Sequence, residues 1–223
     1  MNLLALDAST EHCSAAVWRD GAVFERAARA GQSHSEMLIA MADAALAEAG
    51  LKLQALSGIA FGAGPGSFTG LRVACAVAQG LAFPTDIPLA GIGTLRAMAA
   101  GCGADAVICC LDARMGEVYH AAYRRAGDEW IEVSAPRVCA PGAVPELPSA
   151  RWTGCGSGFA AYGEVLRQRY DALLEDVIAD LVPQARDLAR LAAPVFAAGG
   201  GVPADAAAPF YVRDRVALKT DER

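Results

Sequence analysis

With 223 residues, 54% of them hydrophobic and 20% charged, the chain has apolar material for one large domain or two small ones, which excludes a disordered protein. A formal net charge of −6 argues against a protein that grips nucleic acid unaided, because phosphate contacts call for a basic face. No apolar run approaches the roughly 18 residues of a membrane span, and the first run carries Asp7 with no basic region before it, unlike a secretory signal.

In chain order, Asn2 to Ala8 reads as a buried strand that delivers Asp7 at its C-terminal edge. Cys13–Trp18 and Val23–Arg29 read as strands joined by Asp20-Gly21, a tight hairpin signal. Ser35–Ala49 is a predicted helix with Gly50 as its stop. Gly58–Phe61 is a short strand, followed by the glycine-rich loop Gly62–Gly66 and a helix over Phe68–Leu81. Leu89–Ile92 is a strand, and Thr94 opens another helix. An antiparallel meander followed by alternating helices and strands describes a ribonuclease-H-like α/β unit.

The pattern then restarts. Ala106–Asp112 is an apolar strand ending in an aspartate, Glu117–Arg124 a second strand, and Glu129–Val133 a third after the Ala126-Gly127 turn. The stretches LLALDASTEHCSAAVWRDG and CCLDARMGEVYHAAYRRAG share the order strand, Asp, Ala, loop, strand, Gly turn, which indicates a duplicated unit. Pro136, Pro141, Pro145 and Pro148 mark a loop-rich stretch. Arg151–Gly154 reads as a strand, Tyr162–Tyr170 and Pro183–Ala197 as helices, and the tail PFYVRDRVALK as an extended segment that packs back on the body. The expected fold is therefore α/β and actin-like (ASKHA): duplicated ribonuclease-H-like lobes over 1–104 and 105–223, the second reduced.

The residues that carry chemistry are few. Ile59–Gly80 brings a strand through glycines into a helix, where amides at a helix N-terminus can face an anion. It has no Lys after Gly70 and is not a dinucleotide fingerprint, so a tight turn that needs glycine dihedrals is the favoured reading. Asp7, Ser9 and Thr10 resemble the first phosphate loop of actin-like ATPases, against the simpler reading that the aspartate caps the loop. The counterpart Asp112 is followed by Ala113-Arg114-Met115-Gly116, without the Gly and Thr of a second phosphate hairpin. His12, His34 and His120 show no helical pairing, the seven cysteines no C-x-x-C, and no metal site is expected; a reducing cytosol suits the free thiols. His34 is read as a capping or interface residue, and the Arg124-Arg125 and Arg167, Arg169 clusters as solvated surface.

The helices around Glu36–Ala49 and Gly70–Leu81 are apolar nearly all round, whereas a surface helix keeps about half its circumference polar. Each must bury a second face, either against a partner or under the chain's own second half. The partner reading selects Met37, Leu38, Met41 and Ala45 on the first helix and Leu71, Ala74 and Ala78 on the second.

GPGSFTGLR, with IAFG before it and VAQGLA after it, resembles the signature of the TsaB family. LALDASTEHCSAAV, SHSEMLIAMADAALAEAGL, IPLAGIGTLRAMA and DARMGEVYHAAY extend the resemblance over the first 125 residues, with a thinner match in the tail FYVRDRVALK. The family is a degenerate relative of TsaD, whose His-x-x-x-His metal pair is replaced here by Leu89-Ala90-Gly91-Ile92-Gly93-Thr94-Leu95. The resemblance implies a cytosolic, non-catalytic subunit for synthesis of threonylcarbamoyladenosine in tRNA. It implies a heterodimer with TsaD, docking of TsaE on that pair, a homodimer when the chain is alone, and tRNA contact only through the complex. It assigns no cofactor to this chain and leaves room for ATP or ADP at a shared interface. The alternative is an enzyme acting alone, an actin-like small-molecule kinase or a glycoprotease-like hydrolase built on Asp7 and the glycine-rich loop.

Overall fold

The computed structural model describes residues 1–30 and 34–212. In chain order the first half contains β1 (Asn2–Asp7), β2 (His12–Arg19), β3 (Ala22–Arg29), α1 (His34–Glu48), β4 (Gly58–Gly64), α2 (Phe68–Ala82), β5 (Leu89–Gly93) and α3 (Thr94–Gly101). The second half contains β6 (Ala106–Arg114), β7 (Glu117–Ala126), β8 (Glu129–Cys139), β9 (Trp152–Cys155), α4 (Ser157–Tyr170), β10 (Leu174–Ile178) and α5 (Ala185–Ala197).

The duplication expected from sequence is explicit in the sheet topology. One five-stranded sheet has the order β3-β2-β1-β4-β5 and the other β8-β7-β6-β9-β10, so the two orders coincide once β6 is matched to β1. The senses coincide as well. β1 pairs antiparallel with β2 and parallel with β4, and β6 pairs antiparallel with β7 and parallel with β9. The reduction of the second lobe is one missing helix: α1 lies between the third and fourth strands of the first unit, while the proline-rich stretch from Ala140 to Arg151 occupies that place in the second.

Local chemistry explains the boundaries. Asp20 and Gly21 take φ of 49° and 91°, the left-handed pair that a two-residue hairpin between β2 and β3 requires. α1 ends on Gly50 at φ 65°, with Leu51 N–H donating to Leu46 O and Gly50 N–H to Ala47 O, the paired bonds of a Schellman cap. β8 is an edge strand and tolerates Pro136, so it runs on to Cys139. β10, the opposite edge, is an addition to the sequence reading; Glu175 and Asp176 break its apolar pattern because both are exposed.

The core has four clusters. β1 sends Leu4 and Leu6 toward α1 and α2 on one face, and Leu3 and Ala5 toward α5 on the other. A third cluster joins α3 to β6 and β7 through Leu95, Met98, Val107, Cys109 and Tyr123; a fourth packs α4 on the far face of the second sheet. Two helices have thus changed sides: α3 follows the first sheet but packs on the second, and α5 follows the second but packs on the first. α5 is held there by polar contacts from the first sheet. Ser14 Oγ accepts from Ala185 N–H at 2.9 Å, and Glu25 accepts from Arg186 N–H at 3.0 Å and pairs with its guanidinium at 3.0 Å. A carboxylate at a helix N-terminus meets the positive end of the macrodipole.

The C-terminal tail lies across α2. Gln79 Nε2 donates to the carbonyls of Ala204 and Ala207, Phe210 N–H donates to Ala63 O at 2.7 Å, and Arg72 Nε donates to the Tyr211 hydroxyl at 2.9 Å. The remainder of the expected tail segment, 213–219, lies outside the described residues.

Candidate functional site

Asp7 stands at the end of β1 with none of its surface exposed. Its Oδ2 accepts from Ser9 N–H at 3.2 Å and from Ser9 Oγ–H at 3.0 Å, while Oδ1 has no partner. The backbone of Gly62 presses on Oδ1 so closely that a Cβ there would overlap it, and Leu188 of α5 closes the same side. Burial pushes the Asp7 pKa up to about 7, against the lowering effect of its two bonds from Ser9. Thr10 Oγ1 accepts from His12 N–H at 3.1 Å. The three residues taken as a phosphate loop are therefore turned inward, as caps of the β1–β2 turn. Asp7 offers no oxygen at the surface for magnesium or phosphate, which corrects the nucleotide reading of Asp7, Ser9 and Thr10. Asp112 is used in a similar way: its Oδ1 accepts from Arg114 N–H at 2.8 Å and its Oδ2 pairs with the Arg114 guanidinium at 3.1 Å.

The glycine-rich segment is a close-packing device. Gly66 and Gly70 lie against the Ser9 and Ala8 carbonyls with no room for a Cβ. Ser67 N–H donates to Ser9 O at 2.7 Å, and Ser67 Oγ caps α2 by accepting from Gly70 N–H at 3.3 Å. Of the amides at this helix N-terminus, that of Ser67 is bonded to the β1–β2 turn and that of Gly70 to the Ser67 side chain. Among the described residues, no group of three or more His, Cys, Asp and Glu is placed to hold a metal ion. His120 is buried in the second lobe, where its Nε2 shares a 2.9 Å hydrogen bond with the Tyr170 hydroxyl.

The outer surface of α1 and α2 is the remaining candidate. The two helices lie side by side on one face of the first sheet. Leu38, Ala45, Leu71, Ala74 and Ala78 are each at most 1% exposed, committed to the chain's own core, and Met37 and Met41 are half-buried. Within the single chain, intramolecular packing and the tail cover the first five, so the residues open to a partner are their neighbours. The exposed positions are one step around each helix. On α1 they include Ile39, Ala40, Ala44 and Ala47, and on α2 Ala76, Gly80 and, at its end, Phe83, which is 75% exposed. A helix apolar on every side carries no phase in its hydrophobic pattern, so only packing distinguishes these neighbours. The buried set on α1, Leu38, Ala42, Ala45, Leu46 and Ala49, nevertheless keeps helical spacing.

Comparison with known proteins bears on what this scaffold is. A tRNA threonylcarbamoyladenosine biosynthesis protein TsaB from Escherichia coli is 36% identical over 98% of this chain and 97% of its own length. The chain belongs to the TsaB family. The Haemophilus influenzae protein of the same name is 35% identical over 98% of this TsaB-family chain and 96% of its own length. The family model described as TsaD, tRNA N6-adenosine threonylcarbamoyltransferase, matches residues 22–208. The structure of YeaZ from Pseudomonas aeruginosa superposes with a TM-score of 0.87 at 38% identity, covering 94% of this chain and 99% of that one. The two-lobed, actin-like α/β fold is thus shared with these relatives.

Proposed function

We propose that this TsaB-family chain is a cytosolic, non-catalytic subunit in tRNA threonylcarbamoyladenosine synthesis that binds and activates TsaD through the outward face of α1 and α2. The observation that carries the reading is that face itself. Ala40, Ala44, Ala47, Ala76 and Gly80 are exposed small residues that let a partner's backbone approach closely, and Ile39 and Phe83 supply apolar anchors at its edges. Exposed Glu36, Asp43 and Glu48 lie among these positions on α1, so the surface offers small and apolar residues with acidic ones between them, the mixed composition of a protein interface. Support also comes from the chemistry the chain does not present. Asp7 is sealed, the Gly70 amide of α2 is taken by Ser67, and the relative's paired histidines are replaced by Leu89–Leu95. In this reading TsaD transfers the threonylcarbamoyl group from threonylcarbamoyl-AMP to the adenosine beside the anticodon, and TsaE docks on the heterodimer. ATP or ADP, where present, sits at a shared interface, and the same face makes a homodimer when TsaD is absent.

A reconstituted modification assay tests this. The purified chain alone is expected to show neither transfer nor appreciable ATP hydrolysis, and its addition to TsaD and TsaE to restore product. Full-rate synthesis without it would sink the accessory role. Ala76→Arg and Ala44→Arg are the informative variants, because both positions are exposed and the fold should survive. Each is expected to abolish co-elution with TsaD while leaving the thermal midpoint unchanged. Undiminished TsaD binding by both would remove the interface from this face.

A further inference from the structure

A cleft of about 210 Å³ opens where the ends of β4 and β5 meet the second sheet. One wall is Gly64 and Gly93 at the ends of β4 and β5 with Phe210 of the tail, and Arg96 in the first turn of α3 lies next to Gly93. The other is the second sheet, with Tyr123 of β7 and Trp130, Glu132 and Pro136 of β8. Neither Arg96 nor Glu132 has an ion-pair partner among the described residues, although both line the same cleft. Burial raises the pKa of the Tyr123 hydroxyl in that lining; the Glu132 charge adds to the rise and the Arg96 charge opposes it.

We propose that this cleft binds a small zwitterion of the α-amino acid class, carboxylate on Arg96 and ammonium on Glu132. The chemistry follows from the lining. A guanidinium offers a carboxylate two parallel hydrogen bonds, and it stays charged at any physiological pH. A carboxylate with no internal partner is the natural acceptor for an ammonium, and the faces of Trp130, Tyr123 and Phe210 both attract that cation and cover an apolar side chain. Size excludes larger candidates. At about 30 Å³ of liquid volume per water the space holds roughly seven waters. It is below the ~300–1,000 Å³ of pockets that enclose drug-sized ligands, so a nucleotide does not fit within it. Opposite charges also discriminate. A simple carboxylate or a simple amine leaves one of the two protein charges unanswered, which is what gives the site selectivity for a molecule carrying both.

Arg96 lies on α3, which packs on the second sheet, so a bound zwitterion would tie the first turn of α3 to β8. The inference does not rest on the TsaD-binding role, which uses other residues, so the two succeed or fail separately.

Calorimetric titration of the full chain with each of the standard amino acids tests the proposal, alongside the N-acetyl and the amide derivatives of the best binder. At least one free amino acid is expected to bind at millimolar or lower concentration. Acetylation, which removes the ammonium, and amidation, which removes the carboxylate, should each weaken binding by at least about tenfold, as should Glu132→Gln and Arg96→Gln respectively. Both protein positions are exposed, so the variants should keep the wild-type thermal midpoint; if either unfolds, the ligand derivatives on the unaltered chain still decide. Absence of binding by every amino acid, or binding indifferent to loss of both ligand charges, would overturn the assignment.

Discussion

The Asp7 carboxyl, enclosed by Gly62, Leu188 and its own turn, is held with its proton at a pH where an exposed aspartate has long lost it. Its pKa rises from the ordinary 3.8 to about 7. Between those values the folded chain keeps a proton that the unfolded chain has released, so stability from this group is greatest at low pH. It falls by about 1.4 kcal/mol per pH unit across the window and is flat above it. Asp7→Asn retains an acceptor for Ser9 and never ionises. The stability of the Asn variant relative to the original is therefore expected to climb from pH 4 to pH 7, reaching a few kcal/mol. Urea unfolding of both proteins at several pH values checks it; a pH-independent difference would show that Asp7 ionises normally. The residue was conspicuous in the sequence, as a charge closing an apolar strand. Its role was not legible, because whether such a carboxyl faces phosphate or protein depends on α5, which arrives about 180 residues later in the chain.

At the scale of elements, the glycine-rich entry to α2 and the glycine near its end serve different ends. Gly70 meets the Ala8 carbonyl where a methyl group would have to be, whereas a Cβ at Gly80 meets nothing. Gly70→Ala is expected to cost roughly 2–4 kcal/mol through displacement of the β1–β2 turn. Gly80→Ala in the same helix should instead stabilise by up to about 1 kcal/mol, since an exposed helix interior favours alanine over glycine. Chemical denaturation of the two variants separates the readings; equal effects would contradict the packing of α2 on that turn. Most elements could be read from the chain with small errors at their ends. The meander, the Gly50 stop and the strand–glycine–helix turn all announce themselves through local chemistry. β10 did not, because an exposed edge strand carrying Glu175 and Asp176 has neither a continuous apolar run nor a clean alternation. The residues open to a partner were not legible for a related reason. In α1 and α2 apolar residues surround the axis, and amphipathic phase is the only sequence signal that tells an inward face from an outward one.

The whole molecule is held together by an exchange of helices. α3 covers the second sheet and α5 the first, and the two also meet each other, with Asp187 of α5 lying against Gly101 of α3. Leu3, Ala5 and Ala16 of the first sheet depend on Leu188, Ala189 and Ala192 for cover. A fragment ending at residue 104 would expose that face, and it is expected to be aggregated or to lack cooperative unfolding, as circular dichroism during heating would reveal. A stable, cooperatively folding fragment would mean that α5 contributes little. The sequence by itself determined the lobe plan, because the duplicated order of strand, aspartate, loop and hairpin is a matter of local periodicity and turn chemistry. It also pointed to the family, through a segment from Ile59 to Gly80 that resembles the family's signature. Only the tertiary structure decided which apolar residues are surface, that Asp7 is sealed, and that Arg96 and Glu132 line one cleft. Each of those depends on which distant segment comes to lie against which face, and local residue pattern holds no record of that.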